Sequence, residues 1–385
     1  MFKRRAFLKM AAVSISGFYP SLNSYAVQSQ MPFYRVDSFG VLREPDENGV
    51  MLPPGFKSRI VARSGKAPID SSDYVWHPAP DGGACFETDD GGWLYVSNSE
   101  VRSNGGGVGV LRFNGAGEKI DAYSILENTT QNCAGGATPW GTWLSCEEFD
   151  RGQVFECDPY GKSPAKVRPA LGIFKHEAVA VDLRGDALYL TEDLPDGGLY
   201  RFVSERGLPD LTAGDLEIAS LIERDGRSYL SWHKVPDPLA IEAPTRHQVE
   251  SYASFNGGEG IVFHRGDVFF STKGDNRVWC YDTDSGEIDI IYDIRESENA
   301  ILSGVDNLAI TPAGDVLVAE DGGNMQIVAI TPNHQVMPVV QVVGHDRSEI
   351  CGPAFNSSHN RLYFSSQRGE TGSNADGVIF EVSRA

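Results

Sequence analysis

The chain has 385 residues, 41% hydrophobic and 22% charged, an ordinary globular composition that excludes wholesale disorder. Its 33 Lys plus Arg against 53 Asp plus Glu give a formal charge of -20, a field that repels a polyphosphate backbone and argues against a nucleic-acid partner. So much carboxylate is either a solvated surface or a set of clusters that hold cations, and position along the chain has to separate the two.

The chain opens with Arg4 and Arg5, then Phe7, Leu8 and Lys9, then a mildly apolar run from Met10 to Phe18. That run is too short and too polar for a permanent membrane helix. The pattern is that of a twin-arginine signal, with Ser24-Tyr25-Ala26 offering a cleavage site. Residues 1–26 are therefore expected to be a leader read by the twin-arginine translocation machinery, and 27–385 a single exported domain, periplasmic or secreted. That route carries folded proteins, which suits a cofactor inserted before export. No other segment approaches the roughly 18 apolar residues of a membrane span, so no stable span is expected. Six cysteines follow: Cys85, Cys133, Cys146, Cys157, Cys280 and Cys351. None forms a Cys-x-x-Cys pair, which leaves a zinc ribbon unsupported, while Cys146 with Cys157 offers a local bridge in an oxidising compartment.

From here the chain is periodic. Short runs rich in β-branched and aromatic residues recur as Trp93–Val96, Thr142–Leu144, Ala187–Leu190, Val268–Phe270, Val316–Val318 and Leu362–Phe364. Several have a second run upstream, joined through turns such as Leu183-Arg-Gly-Asp186 and Thr311-Pro-Ala-Gly314. The first strands begin near Gly83, Cys133, Glu177, Glu259, Asp306 and Gly352. A period of about 40–50 residues made of short strands is the signature of β-propeller blades. The spacing from Glu177 to Glu259 is too long for one blade and contains a polar, Pro-punctuated stretch, so residues 204–254 read as an insertion between the third and fourth blades. The expected fold is all-β, a six-bladed β-propeller; a stacked pair of β-sandwiches is the bland alternative and does not require so regular a repeat. Residues near 32–64 are expected to add an outer strand to the last blade and so remove its open edge.

The repeat also places chemistry. In a propeller hairpin the start of the first strand and the end of the second meet at one mouth of the channel. The pairs there are Gly83 with Asn98, Cys133 with Glu148, Glu177 with Glu192, Glu259 with Lys273, Asp306 with Glu320, and Gly352 with Gln367. Carboxylates converging on one axis raise one another's pKa unless cations neutralise them, and a metal cluster is the simplest resolution. Cys133 alone would read as a small buried hydrophobe, but its equivalence to Glu177, Glu259 and Asp306 makes it a candidate thiolate in a mixed site. Sulfur favours iron or zinc and hard oxygens favour calcium. His176 beside Glu177 is a candidate outer-sphere donor, and His77 a weaker one.

At these residues the sequence resembles the PhoX family of secreted bacterial alkaline phosphatases. The similar stretches are Asn132-Cys-Ala-Gly-Gly-Ala-Thr-Pro-Trp-Gly-Thr-Trp-Leu-Ser-Cys-Glu-Glu148, His176–Asp182, Leu188–Asp193 with Gly198–Phe202, and Asp306–Ile310 with Ala319–Gly322. The resemblance implies a phosphate-monoester hydrolase, acting as a monomer on small-molecule phosphate esters, with an iron and calcium cluster in a propeller channel. It implies Cys133 as thiolate ligand to iron, Glu177 as an iron ligand, Glu148, Glu259 and Glu320 as carboxylates of the mixed site, and Asp306 as a further ligand. A phosphate-binding arginine is expected near Glu259, where the chain has Gly257; Lys273 or Arg277 would take its place. The alternatives are a calcium-dependent lactonase-type hydrolase, which has no need of Cys133, and a non-catalytic exported propeller stapled by calcium.

Overall fold

The computed structural model describes residues 31–385; the expected leader, 1–26, lies outside the described residues. What is described is all-β, with three short 3-10 turns besides the strands. Its strands form antiparallel meanders in which the segment nearest the centre comes first. One sheet holds Pro80–Glu87, Trp93–Ser99, Gly106–Phe113 and Lys119–Thr129; a second holds Asn132–Ala137, Trp143–Glu147, Val154–Cys157 and Lys166–Val167. A nine-stranded sheet runs outward through His176–Asp182, Ala187–Glu192, Leu199–Ser204 and Gly214–Arg224 to Arg227–Lys234. It returns through Glu287–Asp293, Arg277–Asp282 and Asp267–Thr272 to Gly258–His264. The junction is the short pairing of Ser228 with Ile288 and Tyr229 with Glu287.

Two further sheets complete the circle. Val305–Ile310, Val316–Glu320, Gln326–Ile330 and Val336–Val342 are extended by Val50–Met51, and Ile350–Phe355, Arg361–Ser366 and Val378–Arg384 are completed by Phe56–Arg63. The closing strand expected near 32–64 is thus Phe56–Arg63, paired antiparallel to the C-terminal strand. The first strands touch in cyclic order, with Ile350–Phe355 returning to Pro80–Glu87. This is a propeller-like arrangement with a central axis.

Alternation along each strand explains the packing. In Leu362–Phe364 and Val378–Val382, side chains of the two faces are all buried, because each sheet lies between neighbours and has no solvated face. Phe33, Phe56, Phe364 and Phe380 fill one wedge, each such side chain contributing roughly 1.5–3 kcal/mol by leaving water. The closing seam is polar where it must be. Glu381 accepts from Arg59 (2.7 Å), Arg361 (2.6 Å) and the Tyr363 hydroxyl (2.6 Å), and Tyr363 accepts from the Trp93 indole (3.0 Å). Tyr363 also stacks on Tyr95 at 4.9 Å, joining the last sheet to the first.

All six cysteines are free thiols. Cys146 and Cys157, offered above as a local bridge, sit at opposite ends of a strand pair, Cys146 opposite Val154 and Cys157 opposite Trp143. A disulfide between them would require the register to slip.

Candidate metal centre

Every first strand has the same irregularity. Pairing shifts between Pro80 and Gly83, Asn132 and Gly135, His176 and Val179, Gly258 and Ile261, Val305 and Leu308, and Cys351 and Ala354. A bulge inserts an unpaired residue and re-aims a side chain. The residues so placed are Asp81, Cys133, Glu177, Glu259 and Asp306; in the last unit the unpaired residues are Gly352 and Pro353, and Cys351, paired with Ser365, stands just before them. All six of these acidic and thiol residues are buried. A small or short residue follows each: Gly82, Ala134, Ala178, Gly260, Asn307 and Gly352. Neighbouring strands press on these positions, since a Cβ on Gly82 would lie 2.6 Å from Ala134 Cα and one on Gly260 would lie 2.4 Å from the Leu308 nitrogen.

The first unit therefore contributes Asp81, where the repeat register pointed to Gly83; in the last unit the register position is Gly352, as expected, and the thiol that joins a group is its neighbour Cys351. Hydrophobic alternation cannot locate a bulge, because the extra residue leaves the pattern on either side intact. The second strands add a further layer at their ends. There the structure brings Glu100, Glu148, Asp193, Lys273 and Asp321 to the axis, with Glu349 arriving from the approach to the last first-strand. Ligand atoms lie within 4.8 Å of one another in five groups: Asp81, Glu100 and Cys133; Asp81, Glu349 and Cys351; Cys133, Glu148 and Glu177; Glu177, Glu259 and Asp306; Asp306, Asp321 and Glu349.

Glu320 does not join them. Its oxygens accept the backbone N–H groups of Ser303 and Gln326, each at 3.0 Å, and its neighbour Asp321 faces the axis instead. Two other glutamates behave alike. Glu147 accepts from the backbone of Thr130 and Gln153, and Glu192 from Gly198 N–H, Tyr200 and Arg246, leaving Glu148 and Asp193 to point inward. In each adjacent acidic pair the first member ties down a loop and the second enters the cluster.

Three cations border the carboxylates. Lys175 Nζ lies 2.8 Å from Glu148 and 2.6 Å from Asp193. Lys273 Nζ lies 2.9 Å from Glu259 and 3.2 Å from Asp321. Arg368 reaches Glu349 at 2.8 Å. Arg277, by contrast, is held by Asp293 (2.7 Å) and Asp275 (3.0 Å) and lies apart from the clusters. Gly257 has φ +70, and a Cβ there would sit 3.2 Å from Asp193 Oδ1. Its backbone is thus in the left-handed region that strains any L side chain, an arginine included. His176 turns away, its Nε2 on the Gly172 carbonyl (3.0 Å) and its ring on Phe174. His77 bonds Tyr74 and Ser97. Neither reaches a cluster carboxylate.

Three cations cannot neutralise nine carboxylates. Burial, with the charge of Glu100, pushes Asp81 up to about 7. Burial and Glu100 likewise push Glu148 up to about 8, against the pull of Lys175. Burial and Glu259 hold Glu177 well above the carboxylate range, and burial with Asp81 and Glu177 raises the Cys133 thiol. Burial alone would raise Asp193 and Asp321, but Asp193 is held low by Glu148 and Lys175, and Asp321 by Lys273 and Glu349. At the centre Glu177 Oε1 accepts weakly from Cys133 Sγ (3.4 Å) and Asn307 Nδ2 (3.4 Å), while its Oε2 is buried with no partner. A buried carboxylate oxygen without a donor is costly unless a cation meets it. The donor set of one or two thiols with many hard oxygens suits a mixed group of ions.

Outer residues fix this geometry. Asn98, expected at the mouth, instead braces the Cys133 segment. Its amide donates to the carbonyls of Cys133 (3.1 Å) and Ala134 (2.7 Å) and accepts from Trp143 Nε1 and Ser145 Oγ, both at 2.9 Å. Gln367 donates to Asp81 (2.6 Å) and Glu100 (2.8 Å). At the other end of the first strands lies a separate cavity of about 480 Å³, lined by such residues as Ala84, Ala180, Val262, Ile310 and Phe355 and by none of the cluster carboxylates. Sequence reasoning missed Asp81, Glu100, Lys175, Asp193, Asp321, Glu349, Cys351 and Arg368. The available signal was an acidic or thiol residue followed by a small one, as in Asp81-Gly82 and Cys351-Gly352.

The family model described as alkaline phosphatase PhoX matches residues 107–154 and 149–300, together just over half of the chain. Among solved structures the chain is similar to Pseudomonas fluorescens PhoX in complex with vanadate, a transition state analogue. The TM-score is 0.76 at 18% identity, covering 91% of this chain and 98% of that one. It is also similar to the Xanthomonas campestris gluconolactonase XC5397, with TM-score 0.50, 11% identity and coverage of 91% and 100%. A Bacteroides thetaiotaomicron protein of unknown function matches with TM-score 0.54, 9% identity and coverage of 85% and 76%. At these identities the structural likeness is one of fold. No curated protein sequence matches.

Proposed function

The chain belongs to the alkaline phosphatase PhoX family, and from that premise we propose that it is a metal-dependent phosphatase that hydrolyses phosphate monoesters at an iron and calcium cluster on the propeller axis. The observation that carries the metal reading is the unpartnered, buried Glu177 Oε2 set between Cys133 and Glu148 on one side and Glu259 and Asp306 on the other. Cys133, Glu148, Glu177, Glu259 and Asp306 would hold the ions, with Asp81, Glu100, Asp321, Glu349 and Cys351 as further donors. Glu320, proposed from the sequence as one of these ligands, is reassigned to holding the loop around Ser303 and Gln326. The bound ions would supply the Lewis acidity and local positive charge that a dianionic ester needs in so acidic a protein.

The chain's own groups then have distinct tasks. Lys273, one-third exposed at the side chain, is the cation that can offer a remaining N–H to a phosphoryl oxygen from its place between Glu259 and Asp321, instead of the arginine that Gly257 precludes. Arg277, the other candidate, supports that segment from between Asp275 and Asp293, both of which its guanidinium pairs. Asn98 and Gln367 hold the Cys133 and Asp81 segments so that the donors stay in place without metal.

Finer points belong to the same reading. The nine-stranded sheet counts as two blades joined edge to edge through Arg227–Lys234, which makes six; of the expected insertion 204–254, Gly214–Arg224 is the outer strand of the third blade, and the residues after it lie between the third and fourth. Residues 27–385 form one domain, a monomer, exported to the periplasm or beyond by the twin-arginine route. The test is hydrolysis of p-nitrophenyl phosphate and of gluconolactone by protein purified after export with calcium, beside Cys133→Ala. Turnover of the phosphate ester by the parent, lost together with iron in the variant, supports the reading. Iron and calcium without phosphate turnover would leave the metal centre and overturn the substrate class; lactone turnover unaffected by the variant would favour the lactonase class.

A further inference from the structure

Lys273 stands where the repeat elsewhere puts a ligand. At the end of the second strand, four other units present Glu100, Glu148, Asp193 and Asp321 to the axis, and this unit presents an ammonium. Lys175 is two residues before Glu177, and its ammonium too lies among the carboxylates. Each lysine joins neighbouring units: Lys175 bridges Glu148 and Asp193 at 2.8 and 2.6 Å, and Lys273 bridges Glu259 and Asp321 at 2.9 and 3.2 Å. Glu148 and Asp193 also lie within hydrogen-bonding reach of each other, so the Lys175 ammonium sits against a close carboxylate pair, where a bridging cation would.

We propose that Lys175 and Lys273 are resident cations that fill two bridging positions of the cluster, so that the chain takes up fewer divalent ions than its nine axial carboxylates would imply. The inference rests on the metal-centre reading above. An ammonium is a strongly hydrated point charge with three donors; here each donates to one carboxylate, Lys175 to Asp193 and Lys273 to Asp321, and makes an ion pair with a second, Glu148 or Glu259. A calcium ion in the same place would draw the oxygens to 2.3–2.6 Å and add a second charge. The lysines thus neutralise four carboxylates by half and hold adjacent sheets together before any ion arrives. They also keep two positions free of exchangeable metal, since the tether raises the effective concentration of the ammonium far above that of a free ion.

Removing the ammonium should open a divalent site. Lys273→Gln and Lys175→Gln leave the carboxylate pair and supply an amide oxygen of the kind calcium accepts, while Lys273→Arg keeps the charge. Each protein is saturated with calcium, desalted and analysed for calcium per chain, and melted with and without chelator. The expected result is one more retained calcium in each Gln variant than in the parent, none added in Lys273→Arg, and a larger gap between the chelated and calcium-loaded Tm in the Gln variants. Parent-like calcium content and an unchanged gap in both Gln variants would overturn the proposal, as would two variants that fail to fold even with calcium present. A parent that binds neither iron nor calcium would instead refute the metal-centre reading itself.

Discussion

Stripped of its ions, the protein should lose stability as the solution becomes more alkaline. A carboxylate whose pKa is raised by folding stays protonated in the native state after it has ionised in the unfolded chain. The unfolded state then gains from each rise in pH until the native group ionises too. Asp81 rises from 3.8 to about 7 and Glu148 from 4.5 to about 8, so the penalty starts near the unfolded values and is complete only above the folded ones. His77 and His176 are pushed down to about 3 by burial, which stabilises the fold above the unfolded histidine range and is lost as pH falls. Between pH 6.5 and 8.5 the two together still regain about 0.8 kcal/mol as the unfolded imidazoles finish deprotonating, which offsets part of the carboxylate penalty. Between about pH 6.5 and 8.5, Glu148 then contributes roughly 2 kcal/mol of destabilisation, and Asp81 somewhat under 1, at ~1.4 kcal/mol per pH unit. At about 1.2–1.4 °C per kcal/mol for a chain of this size, these named groups lower the chelated Tm by about 2–3 °C at the upper pH, and Glu177, Glu259, Asp306 and Glu349, all held higher by burial, add to the fall. Calcium abolishes the protonated state and should raise Tm more at pH 8.5 than at pH 6.5. The assay is differential scanning calorimetry in matched ionic strength. A chelated Tm that is flat or rises across this window would refute the electrostatic account of the cluster.

Other expectations follow from single side chains. Asp321→Asn should lower bound metal, whereas Glu320→Gln should leave metal content near that of the parent and lower Tm, because Glu320 serves backbone donors; elemental analysis and melting of the pair separate the two roles. Asn98→Leu strands the Trp143 indole, the Ser145 hydroxyl and two carbonyls in the core and should cost about 2–4 kcal/mol by denaturant unfolding; a loss under 1 would show that the brace is dispensable. Glu381→Ala leaves Arg59, Arg361 and Tyr363 without their shared acceptor and should destabilise by about 3–5 kcal/mol, measured the same way. Deleting residues 27–64 exposes the edge of Val378–Arg384; the expected outcome is an unfolded or aggregated product, and a variant that melts like the parent would refute closure by Phe56–Arg63.

The all-β periodicity, the strand pairs and the closing strand were legible because they rest on local alternation and turn chemistry, which one sequence carries in full. So was the placing of Cys133, Glu148, Glu177, Glu259 and Asp306 near one axis, since equivalent positions in a repeat share an environment. The sequence had no means to choose within Glu147-Glu148, Glu192-Asp193 or Glu320-Asp321. Either member can face inward, and the choice depends on whether a loop from elsewhere offers backbone N–H groups, as Ser303 and Gln326 do for Glu320. Nor could it show Asp81, because a bulge changes the direction of a side chain without changing the residues that flank it, or Cys351, which stands one residue before its strand's bulge. Lys175 and Arg368 entered the site only when the sheets met around the axis. Strand identity is written residue by residue, but the charge balance of the channel is a sum over six separated segments, and only closure of the ring brings its terms within reach of one another.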